Sequence, residues 1–298
     1  MAETVSFQTE DGVTIAGALY LPAGAGPHPA ITMAHGFGGT IEHDLRAYAE
    51  LFAANGFAVL LHDHRGWGVS GGEPRQDIDP WRQIADWRRA ITFLADRPEV
   101  DPDRIGLWGT SYAGGHALVL GATERRIKAV VAQVPTISGY EQGLRRVSPD
   151  RTAALEAAFD ADEQHNFHGE PLRRQAIVSA DPGVPASYYL PGAVEFYLRE
   201  HPDAVWRNEI TLRSNRAARM YEPGTWVSRV SPTPLLMIVA THDTLTVTDL
   251  ALAAYERALE PKRLVLVPGG HFDPYVGEFR KSSSAALAWF REHLEEAT

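Results

Sequence analysis

The chain has 298 residues, of which 44% are hydrophobic, so it can bury a substantial core in one large α/β domain or two small ones. A formal net charge of -10 and the shortness of its basic runs argue against a nucleic-acid partner, and the absence of cysteine excludes disulfides, thiolate metal sites and a cysteine nucleophile. The N-terminus lacks a basic region followed by an apolar core, and no stretch approaches the roughly 18 apolar residues of a membrane helix. We therefore expect a cytoplasmic protein without membrane association.

The first predicted elements are two antiparallel strands. Alternating runs at residues 5–9 and 13–20 flank Asp11-Gly12, a dipeptide typical of hairpin turns. After a stretch rich in proline and glycine, short and continuously apolar runs recur at 31–34, 58–61, 105–108 and 129–134. Such runs are typical of strands that are buried on both faces of a parallel sheet.

Segments with helical periodicity lie between these strands. The clearest begins at Asp79-Pro80, a helix cap followed by proline at the first helical position. Its apolar residues are spaced by three, four and three positions: Ile84, Trp87, Ile91 and Leu94. The alternation returns with strands at 235–239 and 264–267, each followed by a helical pattern. This order predicts an α/β fold with a doubly wound, mostly parallel sheet and antiparallel N-terminal strands.

Residues 137–231 interrupt the alternation of strands and helices. The segment is richer in charge, and its apolar residues are spaced helically. We predict a helical cap inserted into a core made of residues 1–136 and 232–298, because ligands of such sheets bind beyond the carboxyl ends of the strands. Several polar and aromatic side chains of the insertion are pocket candidates without an assigned role: Tyr140, His165, His168, Tyr188, Tyr189, Trp206 and Asn208.

Ser111 lies in a strand-to-helix turn with the sequence Gly-Thr-Ser-Tyr-Ala-Gly-Gly. A nucleophile on such a strained turn needs small neighbours two positions away on each side, and Gly109 and Ala113 provide them, although alanine departs from the G-x-S-x-G pattern. The alternative is an ordinary loop in which Ser111 caps the helix. The order strand, turn, helix favours a nucleophile, at a helix N-terminus where N–H groups stabilise negative charge.

A second glycine-rich turn follows the predicted strand 31–34. Residues 35–39 read His-Gly-Phe-Gly-Gly, which leaves backbone N–H groups free to point at a substrate oxygen. We predict an oxyanion hole formed by the N–H groups of Phe37 and Tyr112, since one such donor contributes about 2.7 to 4 kcal/mol in known enzymes. The alternative is that the glycines only permit a tight turn. A phosphate-binding loop is disfavoured because its lysine and its glycine spacing are missing.

The general base must be chosen among twelve histidines by position. His271 follows the last predicted strand, in Pro-Gly-Gly-His-Phe, at the edge where the nucleophile is expected. His35 and His116 flank the two glycine-rich turns and are expected to hold them. His62 and His64 follow another strand and are candidates to line the site. They are adjacent rather than helically spaced, and no metal-binding motif is present, so we predict no metal site.

The acid is expected at the end of the strand 235–239, where Asp243 follows within a few residues. Asp249 is the rival, but we interpret it as a first-turn helix residue favoured by the helix dipole. Asp63 is expected to brace Arg65 in a strand-end turn. With Asp243 the chain order is serine, aspartate, histidine, in which the acid orients His271 and the histidine takes the serine proton.

With these segments in place, the chain resembles the α/β-hydrolase superfamily, and more narrowly the dienelactone-hydrolase-related serine esterases and thiohydrolases, which include fungal toxin-biosynthesis hydrolases. The segments that carry the resemblance are 35–39, 63–68, 79–81, 109–112, 231–234 and 268–272. The resemblance implies hydrolysis of a carboxylic ester, thioester or lactone through an acyl-enzyme on Ser111, with no cofactor.

Two other function classes stay open. The same serine, histidine and aspartate can catalyse carbon-carbon bond hydrolysis or acyl transfer. Alternatively, the hydrolase scaffold can serve as a binding protein that senses a small ligand. The expected partner is a small-molecule acyl substrate, with neither nucleic acid nor membrane. The sequence does not decide between a monomer and a homo-oligomer.

Overall fold

An eight-stranded sheet runs through the molecule, in a computed structural model that describes residues 2–199 and 205–295. Numbered along the chain, the strands are β1 (Ala2–Gln8), β2 (Thr14–Tyr20), β3 (His28–Ala34), β4 (Ala58–His62), β5 (Val100–Thr110), β6 (Ile127–Gln133), β7 (Arg174–Val178), β8 (Ala186–Tyr188), β9 (Ile210–Thr211), β10 (Leu235–Ala240) and β11 (Lys262–Val267). The order across the main sheet is β1-β2-β4-β3-β5-β6-β10-β11. The other three strands form a small second sheet.

Helices flank the main sheet and fill the insertion. They are α1 (Leu45–Ala54), α2 (Pro80–Ala95), α3 (Tyr112–Thr123), α4 (Gly139–Arg146), α5 (Pro149–Phe167), α6 (Pro191–Leu198), α7 (Leu212–Arg219), α8 (Thr248–Arg257) and α9 (Phe279–Leu294). Helix α2 begins as predicted, because the Asp79 side chain accepts hydrogen bonds from the backbone N–H groups of Trp81 and Arg82. Within the described ranges, no helix is long and apolar enough to cross a membrane.

The strand directions confirm the predicted architecture. Strand β1 pairs with β2 in antiparallel register, from Ala2 opposite Tyr20 to Gln8 opposite Thr14, and β2 is antiparallel to β4. The remaining neighbours in the main sheet are parallel. Every residue of β4 and β10 is buried, which explains why these strands read as continuous apolar runs.

The parallel strands place the predicted site residues at one edge of the sheet. The carboxyl end of β3 leads into residues 35–39, called the β3 loop below, and that of β5 leads directly to Ser111. Asp243 follows β10, and His271 follows β11. Because these strands run in the same direction, their loops meet at the same edge, where ligands of such sheets bind.

The segment between β6 and β10 holds helices α4 to α7 and also the small sheet, in which β7 pairs with β8 and β9. The sequence analysis predicted the helices but not these strands, which have five, three and two residues. Strands this short present too few positions to show an alternating pattern. The boundaries 137–231 of a separate cap stay a prediction.

Candidate active site

Ser111 sits on a strained turn between β5 and α3, with φ 56° and ψ -118°. A side chain at Gly109 would overlap the carbonyl group of Ala113, so glycine is required there. The Ser111 N–H donates to the Gln133 carbonyl oxygen at 2.9 Å, and this bond ties the turn to β6. The structure thus has the predicted order of strand, sharp turn and helix, and the turn tolerates the fully buried Ala113.

His271 bridges Ser111 and Asp243. Its Nε2 lies 3.0 Å from Ser111 Oγ, and its Nδ1 lies 2.7 Å from Asp243 Oδ2. A carboxylate can only accept, so Nδ1 carries the ring proton and Nε2 is left to accept from the serine hydroxyl. All three side chains are at most 7% exposed. The structure brings together the three residues selected from the sequence, in a geometry that can move a proton from Ser111 to His271.

The Asp243 carboxylate is held in its ionised form. Burial by itself raises its pKa, but the charge and hydrogen bond of His271, together with hydrogen bonds from Thr246, outweigh burial and lower the pKa to about 2. The Thr246 N–H donates to Oδ1 at 2.9 Å, and its hydroxyl donates to Oδ2 at 2.7 Å. The rival Asp249 lies in the first turn of α8, as predicted, and pairs with Arg145.

The β3 loop packs directly against the serine. A side chain at Gly36 would place its Cβ 2.8 Å from Ser111 Cβ, so the backbone of the loop approaches the serine closely. Phe37 and Tyr112 directly follow the two residues in this contact, and neither of their N–H groups donates a hydrogen bond within the described residues. Free donors close to a serine can stabilise negative charge that develops on a substrate oxygen.

A cavity of about 20 Å³ adjoins Ser111, which is room for roughly one water molecule. Aromatic side chains of the insertion and of the loop after β11 line it beside the serine and histidine: Phe196, Tyr197, Phe272 and Tyr275. The rings of Phe196 and Phe272 stack with centroids 4.5 Å apart. The space beside the serine is therefore small and is bordered on one side by aromatic rings.

His35 holds the β3 loop, as predicted. Its Nε2 accepts from the backbone N–H of His64 at 3.0 Å, so Nδ1 carries the proton and donates to the Gly36 carbonyl oxygen at 2.9 Å. His116 lies inside α3, where its ring contacts the Tyr221 hydroxyl at 2.8 Å. It therefore anchors helix α3, which follows the turn at Ser111, rather than the turn itself.

His62 and His64 do not line the cavity; the expectation that they border the site is wrong. Both are at most 1% exposed and lie beneath the site, where the His64 ring contacts the rings of His35, His62 and His116 at centroid distances of 4.6 to 5.6 Å. Burial lowers the pKa of His62 and of His116 to about 3 and that of His64 well below its ordinary value, so these rings are neutral near pH 7. In the described part of the chain, no group of three or more histidine, aspartate or glutamate side chains could hold a metal ion.

Asp63 does not brace Arg65, which corrects the prediction. Its carboxylate is fully buried and accepts from the backbone N–H groups of Ile41 at 2.8 Å and Val69 at 3.0 Å. Arg65 instead pairs with Asp86 on α2. A short side chain in a strand-end turn reaches the buried N–H groups of neighbouring loops more readily than the guanidinium two residues away.

The pocket candidates of the insertion have different roles. Trp206 donates its indole N–H to the Gly38 carbonyl oxygen at 2.7 Å, and the Tyr188 ring packs on Phe37 with centroids 5.7 Å apart. Asn208 is a structural residue, because its amide bonds to the backbone of β7. Tyr140 is 56% exposed and points away from the core.

The sequence analysis missed two residues that contact the site. Thr246 follows Asp243 by three positions, a spacing typical of side chains that bond to nearby backbone, and that spacing was a usable signal. The Tyr197 hydroxyl donates to the Phe37 carbonyl oxygen at 2.6 Å across 160 positions of sequence. No local pattern could have indicated that contact.

Comparison with known proteins places these features in a family. Residues 11–273 match the family described as X-Pro dipeptidyl-peptidase (S15 family). The quorum-quenching protein AidA of Acinetobacter baumannii (strain MDR-ZJ06) is 34% identical over 278 residues, which cover 92% of this chain and 89% of AidA. The thiohydrolase aneE of Aspergillus aculeatus is 31% identical over 271 residues, which cover 87% of this chain and 83% of aneE.

A solved relative shares the whole fold. The polyketide transferase grgF of a Penicillium species is 30% identical over 291 residues, covering 97% of this chain and 96% of that protein. The crystal structure of the alpha/beta hydrolase GrgF from Penicillium sp. sh18 superposes with a TM-score of 0.86, covering 99% of this chain and 100% of that chain at 28% identity. The chain belongs to the X-Pro dipeptidyl-peptidase (S15) family, within the α/β-hydrolase superfamily.

Proposed function

We propose that the chain is a serine hydrolase that cleaves a carboxylic ester, thioester or lactone through an acyl-enzyme on Ser111. The observation that carries this proposal is the continuous hydrogen-bonded path from Ser111 Oγ through His271 to Asp243, with distances of 3.0 and 2.7 Å. The path lies beside two free backbone donors and a small apolar cavity. This combination is the equipment that acyl transfer to a serine requires.

The reaction proceeds in two halves. In the first, His271 Nε2 takes the Ser111 proton while Oγ attacks the substrate carbonyl, and the N–H groups of Phe37 and Tyr112 stabilise the resulting oxyanion. His271 then gives the proton to the leaving alcohol or thiol, which departs and leaves the acyl-enzyme. In the second half a water molecule gives a proton to His271, attacks the acyl group and releases the acid, and His271 returns the proton to Ser111. Asp243 keeps Nδ1 protonated throughout.

The choice of substrate class rests on the relatives and on the cavity walls. A relative with 31% identity is named a thiohydrolase, and solved esterases share the fold. The aromatic walls of the cavity favour an apolar acyl group, because they offer buried apolar surface and no charged partner. No cofactor takes part in any step of this reaction.

Replacement of the nucleophile tests the proposal. Ser111→Ala should reduce kcat on p-nitrophenyl acyl esters and on acyl thioesters at least a thousand-fold, because only uncatalysed attack by water remains. It should also abolish the mass increase that a fluorophosphonate probe produces. Ser6→Ala, at an exposed position of β1, should behave as the unchanged chain does. Turnover at the original rate in Ser111→Ala would refute an acyl-enzyme on this residue.

Acyl transfer is a second candidate, and a relative favours it: grgF, which is 30% identical over 291 residues, is named a polyketide transferase. A second substrate that reaches the acyl-enzyme before water does would take the acyl group. Product analysis with and without added alcohols, thiols and amines separates the two outcomes, since a transferase yields the new ester or amide in place of the free acid. An X-Pro anilide in the same panel tests the peptidase activity that the family description names.

A further inference from the structure

The insertion contacts the β3 loop through two side chains that hydrogen-bond to its backbone. The Tyr197 hydroxyl, on α6, donates to the Phe37 carbonyl oxygen at 2.6 Å. The Trp206 indole N–H donates to the carbonyl oxygen of the next residue, Gly38, at 2.7 Å. Consecutive carbonyls of the loop are thus bound by side chains that lie 160 and 168 positions further along the chain.

The loop has little internal restraint of its own. It contains three glycines, and Gly38 has a left-handed φ of 67°. The backbone bond that closes the turn, from Gly39 N–H to Gly36 O, is 3.4 Å long, and the other bond inside the loop is that of the His35 side chain to the same carbonyl oxygen. Good backbone hydrogen bonds are about 2.9 to 3.0 Å long. The orientation of the peptide planes therefore depends on the side chains that bind their carbonyl groups.

Phe37 is held on both sides by such bonds. The carbonyl before it, that of Gly36, accepts from the His35 side chain at the start of the same loop. The carbonyl of Phe37 itself accepts from Tyr197, which belongs to the insertion. Because a peptide unit is planar, the first bond fixes the direction of the Phe37 N–H, and the second fixes the peptide unit that joins Phe37 to Gly38. The two units meet at the Phe37 α-carbon, so the insertion helps to hold the α-carbon from which the Phe37 N–H is displayed.

Tyr197 and Trp206 are held by burial and by ring packing where they contact the β3 loop. Tyr197 is 7% exposed, and burial raises the pKa of its hydroxyl well above the ordinary value, so the hydroxyl keeps its proton and acts as a donor. The rings of Tyr197 and Trp206 stack with centroids 6.0 Å apart, and the His43 ring contacts both at 5.5 and 5.4 Å. The donors are thus held rigidly where the loop needs them.

We propose that Tyr197 and Trp206 are positioning residues: they hold the two peptide units that follow the Phe37 α-carbon, keep the Phe37 N–H in place beside the oxyanion, and so make the rate of the chemical step depend on the insertion. The inference rests on the proposed function, because the oxyanion is that of the acyl transfer at Ser111. It assigns the segment 137–231 a role in catalysis besides that of shaping a pocket.

Single substitutions that remove the donor but leave an aromatic ring in place test this proposal; Tyr197→Phe keeps the same ring, and Trp206→Phe exchanges the indole for a smaller phenyl ring. Tyr197→Phe and Trp206→Phe should each lower kcat on a p-nitrophenyl ester about ten-fold with KM unchanged. The reason is that the Phe37 N–H binds the oxyanion, which forms only in the transition state, so its displacement weakens transition-state stabilisation and not substrate binding. Affinity for a boronic acid, which forms a tetrahedral adduct with the serine, should fall by the same factor. Hydrogen exchange of the β3 loop should become faster in both variants.

Tyr189→Phe is the matched control. Its hydroxyl also bonds to backbone within the insertion, at Val184 and Ala186, but not to the β3 loop, so all three measurements should stay at their original values. Unchanged kcat in Tyr197→Phe, or a fall in kcat without a matching loss of boronic acid affinity, overturns the proposal. Failure of the proposed function would appear in the unsubstituted protein as absent turnover and absent adduct at Ser111. In that case, the rate of hydrogen exchange in the β3 loop of the two variants would still decide whether the insertion restrains the loop.

Discussion

At the scale of single residues, the ionised state of the Asp243 carboxylate depends on Thr246 as well as on His271. Thr246 donates to both oxygens of Asp243, through its N–H and its hydroxyl, and the hydroxyl also lies 3.1 Å from the Val134 carbonyl oxygen. These bonds help to hold the pKa of Asp243 at about 2, against the opposing effect of burial. Thr246 therefore keeps the carboxylate ionised and oriented toward His271.

Thr246→Val should lower kcat several-fold, because a hydrogen bond to a charged group contributes about 1.5 to 3 kcal/mol and valine keeps the shape but not the donor. Thr246→Ser should restore most of the rate. Because the pKa of Asp243 is lowered on folding, its contribution to stability is present above about pH 4 and is lost as the pH falls through about 2. Urea unfolding between pH 2 and 5 should show this loss at a higher pH in Thr246→Val. Equal kcat in the valine and serine variants would contradict this role.

At the scale of elements, the site is assembled where strands end and not within any one of them. Strand β3 leads into the β3 loop, β5 leads to Ser111, β10 to Asp243 and β11 to His271. The close contact between the β3 loop and Ser111 requires that position 36 have no side chain. The distance between two neighbouring strand ends thus limits what the loop can contain.

Gly36→Ala should reduce kcat about a hundred-fold, because its Cβ would lie 2.8 Å from Ser111 Cβ and must displace either the loop or the serine. Gly39→Ala is the matched change in the same loop, since its Cβ meets nothing nearer than 3.8 Å, and its effect should be much smaller. Steady-state kinetics of both variants, beside thermal unfolding to confirm folding, provide the measurement. Equal rates for the two would show that the close contact does not matter.

At the scale of the whole molecule, the buried histidines link stability to pH. His62, His64 and His116 are neutral in the folded chain because burial lowers their pKa, whereas in the unfolded chain they take up protons below about pH 6.5. The folded state therefore binds fewer protons, and its stability decreases as the pH falls from about 6.5 toward 3. Each such ring contributes a slope of about 1.4 kcal/mol per pH unit in that window.

His62→Leu should make the free energy of unfolding less sensitive to acid, by about 1.4 kcal/mol per pH unit between pH 6 and 4. The leucine fills the buried position, which is 0% exposed, with an apolar side chain of similar size. Ser6→Ala, at an exposed position of β1, should leave the slope as it is, because it removes no titratable group. Urea unfolding at several pH values measures the slope, and an unaltered slope in His62→Leu would refute the linkage.

Most of the sheet could be predicted, and so could the positions of Ser111, Asp243 and His271 at its edge, because their signals are local. Buried parallel strands appear as short apolar runs, and glycine-rich turns after them mark where Ser111 and the β3 loop lie. The roles of Asp63 and Tyr197 could not be predicted, since each depends on which distant backbone groups the fold brings within reach. The small sheet of the insertion was missed because its strands are too short to show a period.

The backbone of Ser111 has a further consequence for how such a chain can change. Its φ of 56° lies in a region that glycine occupies freely and that costs other residues of the order of 1 to 3 kcal/mol. A glycine at this position would relieve that strain and would also remove the hydroxyl that the proposed function uses. On stability alone glycine would therefore be preferred at position 111, so a Ser111→Gly variant should unfold at a higher temperature than the unchanged chain while losing the proposed activity.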